Sequence, residues 1–156
     1  MTITFYKYEG TGNDFIMIDN RGQSFPKENN LLVHKLCDRH FGIGADGIIL
    51  LENDEKTDFR MVYYNADGNE GTMCGNGGRC IVAFAKKLGI ISNKTSFNAV
   101  DGLHHASIEN KLVSLQMIDV KTVDVYDNHV FTNTGSPHHV QLIDNLTTYD
   151  VVAKGK

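Results

Sequence analysis

The sequence predicts an α+β fold, a mixed and largely antiparallel sheet curled round one central buried helix. Three observations carry this. Short strand-like runs recur along most of the 156 residues, whereas only two stretches show helical spacing. One of these, 77–88, is apolar over most of its circumference: Ile81, Phe84, Ala85 and Leu88 form an i, i+3, i+4, i+7 stripe, widened by Cys80, Val82 and Ala83. Such a helix belongs inside, wrapped by the sheet. Third, the dipeptides at 101–102 ("DG") and 109–110 ("EN") sit where tight hairpin turns should be.

In chain order, "ITFYKY" (3–8) and "DFIMID" (14–19) read as strands joined by the glycine-bearing turn "EGTGN". Asn29 or Asn30 can cap a helix over about 31–39, with Leu32, Leu36 and Cys37 turned inward. "HFGIGADG" leads into the apolar strand "IILLE", and 58–64 ("DFRMVYY") is a further strand ended by "NADGNEG". The buried helix opens at Cys74 and runs to about Leu88, with Gly89 as a stop. Strands follow near 95–100, 103–109 and 112–118, and then at 129–135 and 138–144. The polar stretch 119–128 marks a boundary, giving one domain over 1–118 and a second beginning over 119–156.

Composition narrows the function classes. Hydrophobic residues make up 41% and charged residues 22%, enough for a globular core. The net charge of −4, without a clustered basic face, argues against nucleic acid or an anionic membrane as partner. The apolar runs are too short to span a bilayer, and "MTITFYKYEG" lacks the pattern of a signal peptide. Three cysteines without disulfide spacing fit a reducing cytoplasm.

The chemistry concentrates in "MCGNGGRCIVAFAKKLG" (73–89). Cys74 falls at the N-terminus of the buried helix, where unpaired N–H groups and the helix dipole favour a thiolate. Gly75, Gly77 and Gly78 remove side chains that would block those N–H groups, making a cradle for a carboxylate or phosphate. The competing reading is a structural cysteine in a tight turn, since free cysteines are commonly buried and inert. The glycines on one side and the buried helix on the other favour the reactive reading. Cys37 and Cys80 read as core, and no Cys-x-x-Cys spacing supports a zinc or redox site.

"GIGADG" (42–47) matches the dinucleotide fingerprint only in letters, because a helix precedes it and a strand follows. The adjacent histidine pairs 104–105 and 138–139 point to opposite faces of their strands, so neither clamps a metal. His138 follows Pro137 in a turn that could place an imidazole beside a site. Asn13–Asp14, Asn65 and Asn76 each stand beside glycines at element ends, where asparagine also serves turns. With Cys74 they would form an amide-rich pocket suited to a zwitterion.

"YEGTGNDFIMID", "DRHFGIGADGIILLE", "YYNADGNEGTMCGNGGRC" and "TGSPHHV" together resemble the diaminopimelate epimerases, in order and spacing, across essentially the whole chain. The resemblance implies two similar α+β domains, each with a sheet round a central helix. It implies a cofactor-independent epimerase interconverting LL- and meso-diaminopimelate for lysine and peptidoglycan precursor synthesis. Two cysteines, one per domain, would face opposite sides of the α-carbon, without pyridoxal phosphate or metal. Cys74 matches the first cysteine. Gly75 and Asn76 match the carboxylate cradle, Asn13 and Asn65 the substrate-binding amides, and His138 a histidine that tunes the thiol.

Ser136 stands where many relatives have asparagine, and Gly47 where some have glutamine. The glutamate–cysteine–glycine–threonine motif that carries the second cysteine is missing, as is the glutamate–arginine pair before it. The expectation is therefore a first domain plus the start of a second, inactive alone, with a homodimer as the full-length form. The alternatives are a non-catalytic binding module of the same fold and a related racemase or isomerase with another substrate.

Overall fold

The computed structural model describes residues 2–154. The chain divides into two compact units, one through Ile118 and one from Asp119.

The first unit is a seven-stranded mixed sheet whose spatial order follows the sequence. The strands are β1 (Tyr6–Gly10), β2 (Asn13–Asp19), β3 (Gly47–Glu52), β4 (Phe59–Asn65), β5 (Lys94–Ala99), β6 (Gly102–Glu109) and β7 (Leu112–Leu115). Pairs β2–β3 and β4–β5 are parallel and the rest antiparallel. Each parallel pair needs a crossover, and the two helices supply them: α1 (Asn30–Cys37) between β2 and β3, α2 (Gly75–Lys87) between β4 and β5.

The sheet is curled. Helix α2 packs against β1 and β2 and also against β6 and β7. Edge strands six spacings apart would be about 29 Å from one another in a flat sheet, far beyond the reach of one helix about 10 Å across. Gly77, Gly78, Cys80, Ile81, Val82, Phe84 and Ala85 are buried on α2. They meet Phe15, Met17, Ile49, Leu51, Phe59, Met61 and Phe97 from the sheet. The opposite face of β2, β3 and β4 packs Ile16, Ile18, Ile48, Leu50, Val62 and Tyr64 with Val33 and Cys37 of α1. Strands buried on both faces read as continuous apolar runs, as "FIMI" and "IILL" do.

Local caps set the helix ends. The Asn29 side chain accepts from Leu32 N at 2.9 Å, capping α1. Helix α2 ends in a Schellman turn: Gly89 has φ +72°, its N–H donates to Lys86 O, and Ile90 N–H donates to Ala85 O.

Several boundaries move. β1 begins at Tyr6 rather than Ile3, and β7 ends at Leu115 rather than near 118. On α1 the buried positions are Val33 and Cys37, while Leu32 and Leu36 are half-buried. The hairpin turns lie at Val100–Asp101 and Asn110–Lys111, one residue away from the expected dipeptides. Asn110 and Lys111 both have positive φ, as a two-residue turn with the favoured twist requires.

The second unit holds a three-stranded antiparallel sheet of β8 (Val123–Val125), β9 (Val130–Asn133) and β10 (Pro137–Val140), then the short α3 (Val151–Lys154). The expected strands at 129–135 and 138–144 shrink to β9 and β10. β8 lies inside the stretch read as a polar boundary, because three residues flanked by polar side chains give no periodicity to detect. No helix among the described residues is long and apolar enough to cross a membrane.

Candidate active site

Strand direction gathers the polar residues of the first unit at one end of the sheet. β2 and β3 start there and β4 ends there. In register, Gly47 faces Phe15 on one side and Asn65 on the other. Side chains alternate along a strand, so Asn13 shares the face of Phe15, and Asn65 that of Tyr63 and Met61. This is the face covered by α2. Asn13, the bare position at Gly47 and Asn65 therefore lie on the helix side of the sheet end.

The α2 N-terminus stands at that same end. A Cβ added to Gly10, in the β1–β2 hairpin, would lie 3.3 Å from both Asn76 O and Cys80 Sγ. Thr11 Oγ1 donates to Asn76 Oδ1 at 3.1 Å, and Arg79 donates to the same oxygen. The Asn76 side chain thus ties the hairpin tip to the first helical turn.

Cys74 is the N-cap of α2, in extended conformation with φ −114° and ψ 118°, and its side chain makes no capping hydrogen bond. It is half-exposed, whereas Cys37 and Cys80 are buried. Burial pushes both of the latter thiols up to about 11. The first-turn N–H groups have no carboxylate or hydroxyl cap from Cys74, which leaves an anion-accepting helix end beside an accessible thiol.

The helix glycines act differently from what was expected. At Gly75 an added Cβ would make ordinary contacts, 3.6 Å from both Arg79 Nη1 and Met117 Sδ. At Gly77 an added Cβ would stand 2.8 Å from Ile49 Cδ1, and at Gly78 2.6 Å from Met73 Cε and 2.7 Å from Leu115 Cδ2. Of the three, only Gly75 could carry a Cβ without displacing a neighbour. Gly77 and Gly78 let the helix sit close on the sheet.

Asn13 carries a specific mark: its Oδ1 is buried without a hydrogen-bond partner. An orphan acceptor costs about 1–3 kcal/mol, and a ligand N–H would satisfy it. Next in sequence, Asp14 is fixed from several sides. It accepts from Lys7 Nζ at 2.7 Å and Arg39 Nη2 at 2.8 Å, and Arg39 also bonds Asp46 at 2.7 Å. Arg39, followed by Lys7, holds the Asp14 carboxyl well below the usual carboxylate range. Asn65 closes the "NADGN" turn through its backbone, donating to Asn69 O and accepting from Gly68 N, both at 2.9 Å. Its Nδ2 lies 3.0 Å from where a Cβ of Gly71 would be.

Ser136 and His138 belong to the second unit. Ser136 is half-buried and His138 exposed. His138 Nδ1 lies 2.8 Å from Ser136 O, which can only accept, so Nδ1 carries the proton and Nε2 points away from that bond.

Thr11, Tyr63, Arg79 and the Asp14–Arg39 pair escaped the sequence reading. Arg79 did leave a signal, because a cation near a helix N-terminus opposes the dipole and calls for a local partner.

Residues 5–122 match the family profile described as diaminopimelate epimerase. This chain belongs to that family. It is 71% identical over 151 residues to the diaminopimelate epimerase of Flavobacterium psychrophilum, covering 96% of this chain and 59% of that protein. The chain spans about three fifths of the length of the curated relatives it matches, 59% of that one and 60% of the Chlorobaculum tepidum enzyme, to which it is 44% identical over 94% of this chain. Among solved structures, it resembles a probable proline racemase from Agrobacterium radiobacter crystallised with carbonate. There the TM-score is 0.66 at 15% identity, with 99% of this chain and 57% of that one covered. A likeness at that identity concerns the fold, a curled mixed sheet with few helices.

Proposed function

We propose that this chain carries one half of the acid–base machinery of a diaminopimelate epimerase, with Cys74 moving the α-proton at one face of the substrate. The carrying observation is the half-exposed thiol at the uncapped N-terminus of α2, at the sheet end that holds Asn13 and Asn65. A carboxylate on the N–H groups of Gly75 and Asn76 would bring the α-carbon beside Sγ. Negative charge builds on that carboxylate as the proton leaves, where preorganised donors act most strongly. The orphan Oδ1 of Asn13 suits the ammonium, and Asn65 supplies a further amide.

Inversion needs a second group on the opposite face. Cys37 lies on the other side of the sheet and Cys80 is packed under Gly10, so neither serves. The partner thiol of the two-cysteine reaction lies outside these three. In this reading Ser136 binds substrate and His138 adjusts the acidity of the thiol. The reaction is cofactor-free, serves lysine and cell-wall precursor synthesis in the cytoplasm, and is carried out by a homodimer.

Limited alkylation with iodoacetamide near neutral pH, followed by peptide mapping, tests the assignment. Cys74 should react at least about 100-fold faster than Cys37 or Cys80, whose burial suppresses the thiolate. LL-diaminopimelate should slow it. Preferential labelling of either buried cysteine, or no protection by diaminopimelate at any concentration, would remove Cys74 from the site.

A further inference from the structure

The ring of Tyr63 lies in a slot made by two missing side chains. A Cβ added at Gly47 would stand 2.5 Å from Tyr63 Cε2 and 3.1 Å from its hydroxyl oxygen. At Gly71, an added Cβ would stand 2.6 Å from Cδ1 and Cε1 on the other edge of the ring. Phe15 meets the ring edge-on, with centroids 5.9 Å apart at 82°. The ring is therefore held on three sides, and its hydroxyl is delivered to position 47 of the cross-strand row Phe15–Gly47–Asn65.

That row is the sheet end beneath Cys74, where Asn13 and Asn65 are the neighbouring neutral amides on the helix face. Position 47 cannot supply a group of its own, since an added Cβ would also lie 2.4 Å from Tyr64 O. Burial pushes the Tyr63 phenol up to about 12, so the hydroxyl keeps its proton at neutral pH.

We propose that the Tyr63 hydroxyl is a substrate-contacting, specificity-determining group of this site, donating to a carboxylate oxygen of an amino-acid ligand bound at Cys74. The inference rests on the function proposed above. The amides and this donor have complementary roles. Asn13 Oδ1 offers an acceptor for an ammonium, and the phenol offers an anion a neutral donor fixed in place. Such a donor discriminates strongly, because a ligand without the matching oxygen leaves it buried and unpaired.

The test compares the full chain with its Tyr63→Phe variant, which keeps the ring in the slot and removes only the oxygen. The rate of Cys74 alkylation is measured against the concentration of LL-diaminopimelate. The variant should need about tenfold more diaminopimelate for half-protection, with an unchanged alkylation rate in its absence and an unchanged melting temperature. Equal protection of the two proteins overturns the inference and leaves the proposed function standing. Absence of protection in the unsubstituted chain overturns both, and shows in that chain alone. A second measurement avoids mutation. With ¹³Cζ-tyrosine labelling, the Tyr63 resonance should shift on saturation with diaminopimelate, and an unmoved resonance overturns the inference.

Discussion

Two glycine-rich segments, "FGIGADG" and "CGNGG", look alike in letters and meet opposite ends of helices. The first follows α1 and closes over its C-terminus. Ile43 and Gly44 N–H groups donate to Leu36 O at 2.9 and 3.1 Å, and Ala45 N–H to Cys37 O at 3.0 Å. Backbone donors there satisfy the backbone acceptors of the helix end. The second segment opens α2, where the orphan groups are N–H donors and the Cys74 side chain does not cap them. The contrast teaches that a glycine cluster is a site only where it leaves polar groups open. At a C-terminus the chain itself seals them, while at an N-terminus an anion can.

Substitution at the glycines probes this contrast most sharply. Gly42→Ala should have the largest effect. Its Cβ would stand 2.1 Å from Lys35 O, 2.7 Å from Leu36 O and 2.9 Å from Asp38 O, all backbone atoms that cannot rotate away. We expect a loss of about 3 kcal/mol or more in urea unfolding, or failure to fold. A loss below about 1 kcal/mol would show that the closed segment is looser than its contacts imply.

Gly77→Ala should cost less, about 1–2 kcal/mol. Its nearest contact, 2.8 Å, is the terminal methyl of Ile49, which can turn. A cost equal to that of Gly42→Ala would mean that the open segment is as tightly closed as the other.

The smallest effect tests what holds the first segment against the hairpin bearing Asn13. Asp14 keeps its charge to unusually low pH because Arg39 bonds it. A depressed native pKa contributes stability that is complete above the unfolded-state value, about 3.9, and is lost as pH falls through the native value. Asp14→Asn should therefore lower stability by about 1 kcal/mol at pH 7, given partial exposure and screening. The difference from the unsubstituted chain should shrink progressively below about pH 4. A pH-independent difference in denaturant unfolding would assign the loss to packing rather than charge.

The amino-acid sequence by itself determined the architecture of the first unit. The apolar stripe of 77–88 read as an enclosed helix, and "FIMI" and "IILL" as strands, which the structure covers on both faces. Capping chemistry is local, so Asn29, Cys74 and Gly89 were readable as helix ends within a few residues. The place of Cys74 was legible for the same reason, because a helix N-terminus is a property of neighbours in sequence. What tertiary structure alone decided was which distant residues meet. Parallel pairing of β2 with β3 and reversal into β4 bring Asn13 and Asn65 to one edge, although they lie far apart in the chain. No local pattern encodes register across strands. The same holds for the separate roles of Gly75, Gly77 and Gly78, and for Tyr63. Its meaning depends on side chains missing at Gly47 and Gly71, and a missing side chain acquires a neighbour only when the sheet has formed.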